Sequence, residues 1–145
     1  MKALLQRVRS ASVEIDGQCV GAIEQGLLIF LGLEKHDDEA AAEKLMTRIL
    51  AYRVFADGEG RMNKSLSDIN GGVLLVSQFT LAADTKKGLR PGFSTAAEPA
   101  RAEQLYEFAL AHLRSVHAAV ASGRFGGDMQ VSLVNDGPVT FMLEA

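Results

Sequence analysis

Two short apolar runs, each launched by glycine, constrain this chain more than any other feature. Gly26 precedes Leu27–Leu33, and Gly71-Gly72 precede Val73–Val76. Neither run alternates apolar with polar residues, so neither reads as a strand with one face in water. Each reads as a central strand buried on both faces. Such strands need cover above and below, and the rest of the chain must supply it.

Two helices are expected to do so. Asp37 and Asp38 can cap a helix running to about Tyr52, whose Ala42, Leu45, Ile49 and Tyr52 share one face. Pro99 suits the first turn of a second helix, with Leu105, Phe108, Ala109 and Leu113 as its apolar stripe and an end near Ser115. Strand-like stretches at 2–9 and 11–16 precede a turn at Asp16-Gly17, and a short strand follows at Cys19–Ile23. Arg53–Ala56 is extended, Asp57-Gly58 turns the chain, and Arg61–Asn70 is polar and loop-like. A further loop covers Asp84–Ala97. At the C-terminal end, Met129–Val134 and Val139–Leu143 read as a hairpin turned by Asn135-Asp136-Gly137-Pro138. The expected fold is a mixed α/β domain over residues 1–145, with a strand-rich sheet covered by two helices. At 145 residues such a chain can bury about two-thirds of its unfolded surface.

Composition removes several function classes. A single cysteine, Cys19, forms no intrachain disulfide, and without a Cys/His cluster no structural zinc site is expected. Charges interrupt the apolar residues of MKALLQRVRS early. No apolar run approaches the ~20 residues of a membrane span, so a cytoplasmic protein without membrane attachment is expected. The net charge of −3 does not mark a nucleic-acid binder, so any RNA contact must use a local basic patch.

The chain lacks GxSxG, Walker A, HExxH and GxGxxG motifs. Its histidines, His36, His112 and His117, have no metal-ligand spacing. Hydroxyls and backbone groups are therefore the chemical resources. Ser77-Gln78-Phe79-Thr80 leaves the second buried strand at its C-terminal end, where α/β sheets present sites. Taken alone, a Ser/Thr pair there is more often a turn device. Gly137-Pro138 is ordinarily a turn too, since only about 5–6% of X-Pro bonds are cis. Lys86, Lys87 and Arg90 crowd one loop, as a solvated surface or as a phosphate contact.

Taken together the segments are far more specific. Gln6–Val8, ASVEIDG at 11–17, GLLIFLGLE at 26–34, RMNKSL at 61–66, VSQFTLAADT at 76–85, KGLRPGF at 87–93 and FGGDMQVSLVNDGPVTF at 125–141 resemble the D-aminoacyl-tRNA deacylase family, in order and across essentially the whole chain. Two departures stand out. Gly92 follows Pro91 where the family usually has serine, and Gly126-Gly127 replaces a single glycine followed by alanine. Both bear on loop rigidity and leave the SQFT and GP segments intact.

The resemblance implies a barrel-like sheet core and a homodimer; no metal, organic cofactor or further protein partner is indicated. Its substrate would be the 3′ end of aminoacylated tRNA. It implies a cis Gly137-Pro138 bond reaching into the partner subunit's site beside Ser77, Gln78, Phe79 and Thr80. Arg7 would orient that dipeptide and Met129 would lie near the pocket; for such a substrate the charged loop of Lys86, Lys87 and Arg90 is the part of the chain expected to contact tRNA. The Gly137 and Pro138 carbonyls would clash with the Cβ of an L-residue and not with glycine. Two mechanisms stay open: attack by Thr80, or attack by water or the ribose 2′-hydroxyl with backbone N–H groups holding the oxyanion. No evident base activates Thr80, which favours the second. A non-catalytic RNA-end or small-molecule binder, a threonine esterase for small esters and a structural dimer are the rival readings.

Overall fold

A computed structural model describes residues 1–145. Both glycine-launched runs are central strands, β3 (Gly26–Gly32) and β6 (Gly72–Ser77), paired in parallel with Gly26 opposite Gly72 and Leu31 opposite Ser77. Both their faces are buried, as their unbroken apolar composition requires. Leu27, Ile29, Leu31, Val73 and Leu75 face the helices, whereas Leu28, Leu74 and Val76 face a smaller apolar cluster on the other side.

The sheet grows around this pair. The long strand β1 (Lys2–Ile15) runs antiparallel to β3 through its first half and to β2 (Gln18–Ile23) through its second. Beyond β6 lies β7 (Val120–Ser122), parallel to it. The sheet curls until β2 approaches β7 and nearly closes as a barrel. Gly21 permits that approach, because a Cβ there would stand 2.5 Å from the Ser122 carbonyl oxygen.

Two expectations are corrected here. The stretches 2–9 and 11–16 are one strand rather than two. The C-terminal hairpin does not exist either: β8 (Gln130–Glu144) is a single strand, antiparallel to β1 from Lys2–Glu144 to Glu14–Gln130. Within it Gln6 pairs with Thr140 and Val8 with Asn135, so Arg7 alone stands opposite Asp136, Gly137, Pro138 and Val139. The turn-like tetrapeptide is thus a large bulge in a continuous strand. Bulges bend the pair that carries them, and this one sits where the β1–β8 pair changes core. Leu5 and Leu143 join the helix-side core, while Ala11, Val13 and the half-buried Leu133 join the smaller one.

Helix α1 (Glu39–Leu50) is capped by Asp38, whose side chain accepts from the Ala41 N–H. Asp37 instead binds the terminal ammonium of Met1 at 2.6 Å, beside Glu34 at 2.7 Å. Burial pushes the Glu34 carboxyl up, but the ammonium and Lys2 outweigh it and hold it below its usual range. The expected loop at 61–70 also holds structure. Strand β4 (Phe55–Ala56) pairs with β5 (Met62–Lys64), and the one-turn α2 (Leu66–Ile69) starts with a Ser65–Asp68 capping box. The last helix, α3 (Pro99–Val116), buries Leu105, Tyr106, Ala109, Leu110 and Leu113. Phe108 lies at the exposed edge of that stripe, not in it. No helix is long and apolar enough to cross a membrane.

Candidate active site

Strand β6 ends at Ser77, and a single 3-10 turn (Phe79–Ala82) follows it. The Gln78 N–H donates to the Leu31 carbonyl at 2.8 Å, which ties this corner to the end of β3. No side chain caps the turn. The first amides of a helical turn have no partner within it, so the N–H groups of Phe79 and Thr80 remain available to an anion.

A cavity of about 450 Å³ opens at this corner, and Ser77, Gln78, Phe79, Phe125 and Met129 line it. Phe79 is 60% exposed and packs on Phe93 with ring centroids 5.0 Å apart. Phe125 is fixed from below by Tyr106, whose ring lies 5.9 Å away and whose hydroxyl donates to the Leu75 carbonyl at 3.0 Å. Burial, reinforced by Glu107, pushes the Tyr106 phenol up to about 12. No acidic, basic or histidine side chain lines the cavity. His112 and His117 are engaged elsewhere, with the Thr47 hydroxyl at 3.1 Å and the Gly71 carbonyl at 2.7 Å.

Thr80 is exposed and outside the cavity lining, and the Gln78 side-chain amide donates to its hydroxyl at 2.5 Å. No carboxylate or imidazole of this chain bonds to that hydroxyl. Lys86, Lys87 and Arg90 are exposed and make no ion pair. Their loop is closed at its base by Asp84 and Gly92, whose backbones exchange hydrogen bonds at 2.7 and 3.0 Å. Gly92 is therefore pinned rather than loose.

The bulge in β8 holds the second group of residues expected from the sequence, apart from this cavity. Gly137 and Pro138 are exposed, joined by a cis peptide bond, and absent from the cavity lining. Arg7 holds their base: its Nε donates to the Asp136 carbonyl at 2.8 Å and its guanidinium to the Val54 carbonyl at 2.7 Å. Asp136 also faces Arg7 and Arg9 through its carboxylate, at 3.6 and 3.8 Å. Asn135 supports the same base from inside the strand, and neither it nor Phe125 stands among the residues singled out from the sequence. Phe125 lies at the start of the FGGDMQ segment and Asn135 heads NDGPVT, but a lone phenyl ring, or an asparagine in a turn-like tetrapeptide, does not mark a site in the sequence.

Comparison with known proteins agrees across the whole chain. A family model described as D-Tyr-tRNA(Tyr) deacylase matches residues 4–144. A D-aminoacyl-tRNA deacylase of Cellvibrio japonicus is 65% identical over 144 residues, covering 99% of either chain. One of Stutzerimonas stutzeri is 63% identical over 145 residues, covering both fully. The solved structure of a c-Myc DNA Unwinding Element Binding Protein superposes with a TM-score of 0.96 at 40% identity, covering 100% of this chain and 99% of its own. The class so defined is that of hydrolases cleaving the carboxylic ester of aminoacyl-tRNA. Within it, the chain belongs to the D-Tyr-tRNA(Tyr) deacylase family, as a D-aminoacyl-tRNA deacylase.

Proposed function

We propose that a dimer of this chain, working in the cytoplasm, removes D-amino acids and glycine from the 3′-terminal ribose of tRNA and spares L-aminoacyl esters. One observation carries the stereochemical part. The Gly137–Pro138 segment is convex, exposed and hydrogen-bonded at its base, yet lies outside its own chain's cavity. A second copy bringing that segment to the Ser77–Thr80 corner would complete a wall of backbone. Backbone carries no flexible rotamer, so its clash with an L-residue's Cβ would be fixed in place. Glycine has no Cβ and passes.

The cavity suits the end of the nucleic acid. Phe79, Phe125 and Met129 offer apolar faces to a flat base, which is how unpaired nucleotides are gripped. The exposed loop of Lys86, Lys87 and Arg90 stands for the adjoining phosphates. The ester carbonyl then lies near the Phe79 and Thr80 amides. Water, or the ribose 2′-hydroxyl followed by water, adds to that carbonyl as its oxygen takes the negative charge. The acyl–oxygen bond breaks, the ribose oxygen takes a proton, and the free amino acid leaves. With no ionisable group in the cavity, stabilising the oxyanion is the contribution this chain can make.

The test is deacylation of matched D- and L-aminoacyl-tRNA by the purified protein, with glycyl-tRNA beside them. Selective loss of the D- and glycyl esters is expected. Equal cleavage of D and L would remove the wall, sparing of glycyl-tRNA would remove the steric account, and no cleavage would leave a binding module.

A further inference from the structure

We infer that Asn135 is a positioning residue for stereochemical selection, holding the Gly137–Pro138 segment in place with a side-chain amide that substitutes for a peptide group of the interrupted strand ladder. The inference rests on the wall proposed above. Opposite the bulge, β1 and β8 cannot pair residue for residue, and the backbone groups flanking the break lose their ladder partners. The Asn135 side chain supplies three of them. Its Nδ2 donates to the Arg7 carbonyl at 3.0 Å and to the Val139 carbonyl at 2.9 Å, while its Oδ1 accepts from the Val139 N–H at 3.1 Å.

This pattern fixes which way the amide points. A flipped side chain would set oxygen against two carbonyls and NH₂ against an N–H, losing all three bonds. The reach from 135 to 139 also closes the bulge on itself. Arg7 is the common element: its carbonyl is held by Asn135, and its guanidinium holds the Asp136 carbonyl. Residues 135, 136 and 139 are thereby tied to β1, and only Gly137 and Pro138 project free. A carboxylate of the same shape could accept from Val139 but could not donate to either carbonyl, so the chemistry calls for an amide and not merely a side chain of this size.

A residue that only stabilised the fold would lower D-ester cleavage in proportion to the folded protein lost and leave selectivity alone. The ratio of D- to L-ester cleavage, taken on one preparation, cancels the amount of folded enzyme. In Asn135→Asp and Asn135→Ala that ratio is expected to fall by about tenfold or more, through faster loss of the L-ester, as a sub-ångström misplacement of a selecting wall predicts. A ratio within about twofold of wild type in either active variant would overturn the inference. If neither variant folds, hydrogen exchange on the wild-type protein decides: the Val139 amide should be protected like its ladder neighbours, and unprotected exchange overturns the inference. Wild-type protein that fails to discriminate D from L would instead sink the wall itself, a distinguishable result.

Discussion

The corner after β6 and the bulge in β8 are built on opposite plans. The corner is concave, lined by side chains, and rigid because the buried strands β3 and β6 end there together. The bulge is convex and presents backbone, and its rigidity comes from polar side chains clamping its base. Apolar walls adapt to what they hold and discriminate weakly between similar groups. A backbone wall adapts little and can reject a single misplaced carbon. On the function proposed above, binding falls to the first region and selection to the second, and substitutions in the two should leave different signatures.

Gly137→Ala should break the comparison most severely. A Cβ at 137 would run into the Val139 nitrogen and stand 2.7 Å from its Cγ2, so the projecting segment must shift. Such displacement is expected to lower kcat/KM for D-esters by ~10²-fold, read by steady-state deacylation, and the melting temperature should fall with it, because the clash is with the backbone of the buried Val139. Arg7→Ala comes next. It removes two bonds from a guanidinium whose side chain is only 15% exposed, and should cost about 2–3 kcal/mol in a denaturation curve as well as selectivity. Unchanged stability would mean that the clamp is not closed in solution.

How each region is written in the sequence differs as well. The corner is legible because β3 and β6 are apolar on both faces, which local composition reports directly. The bulge reads as a hairpin turn for an equally physical reason. Asn-Asp-Gly-Pro is turn chemistry in any local view, and what makes it a bulge is that Lys2–Glu14 pairs with both of its flanks. Pairing across the length of the chain leaves no local mark. A different limit hides β5 and α2, which are local but only three and four residues long, too short to show a period, although Ser65 and Asp68 have capping-box spacing. Local spacing also puts Phe108 in a stripe that Tyr106 and Leu110 fill. Within the site, Ser77, Gln78, Phe79 and Met129 come to one cavity, whereas Gly137 and Pro138 lie outside it and Thr80 stands at the rim of the turn, exposed.

Two changes on the binding side should act without touching selection. Replacing Lys86, Lys87 and Arg90 by alanine should raise KM and flatten its salt dependence, by about 0.7 in the log–log slope for each phosphate left without its cation, with the D/L ratio intact. Tyr106→Phe removes one hydrogen bond beneath Phe125 and should cost about 1 kcal/mol. Its pH signature is specific. The folded phenol keeps its proton up to about 12, above its ordinary value of 10.0, so the folded state holds a proton that the unfolded chain releases. Stability falls as pH rises from about 10 through 12, and the phenylalanine variant should lose that part of the alkaline limb.

The smallest effect is expected where the chain carries its most tempting nucleophile. Thr80 has an exposed hydroxyl bonded to an amide NH₂, with no base in reach, and so lacks what an attacking alkoxide requires. Its backbone N–H, the group suited to the oxyanion, survives any side-chain replacement. Thr80→Ala should then stay within roughly tenfold of wild-type kcat, whereas loss of a true oxyanion donor costs ~10²–10³ and loss of a covalent nucleophile ~10⁶. A single-turnover assay on D-aminoacyl-tRNA separates these magnitudes. A fall of the larger kind would move the chemistry from the amides of the corner to its hydroxyl, and binding and catalysis would then share a side chain that the cavity leaves outside.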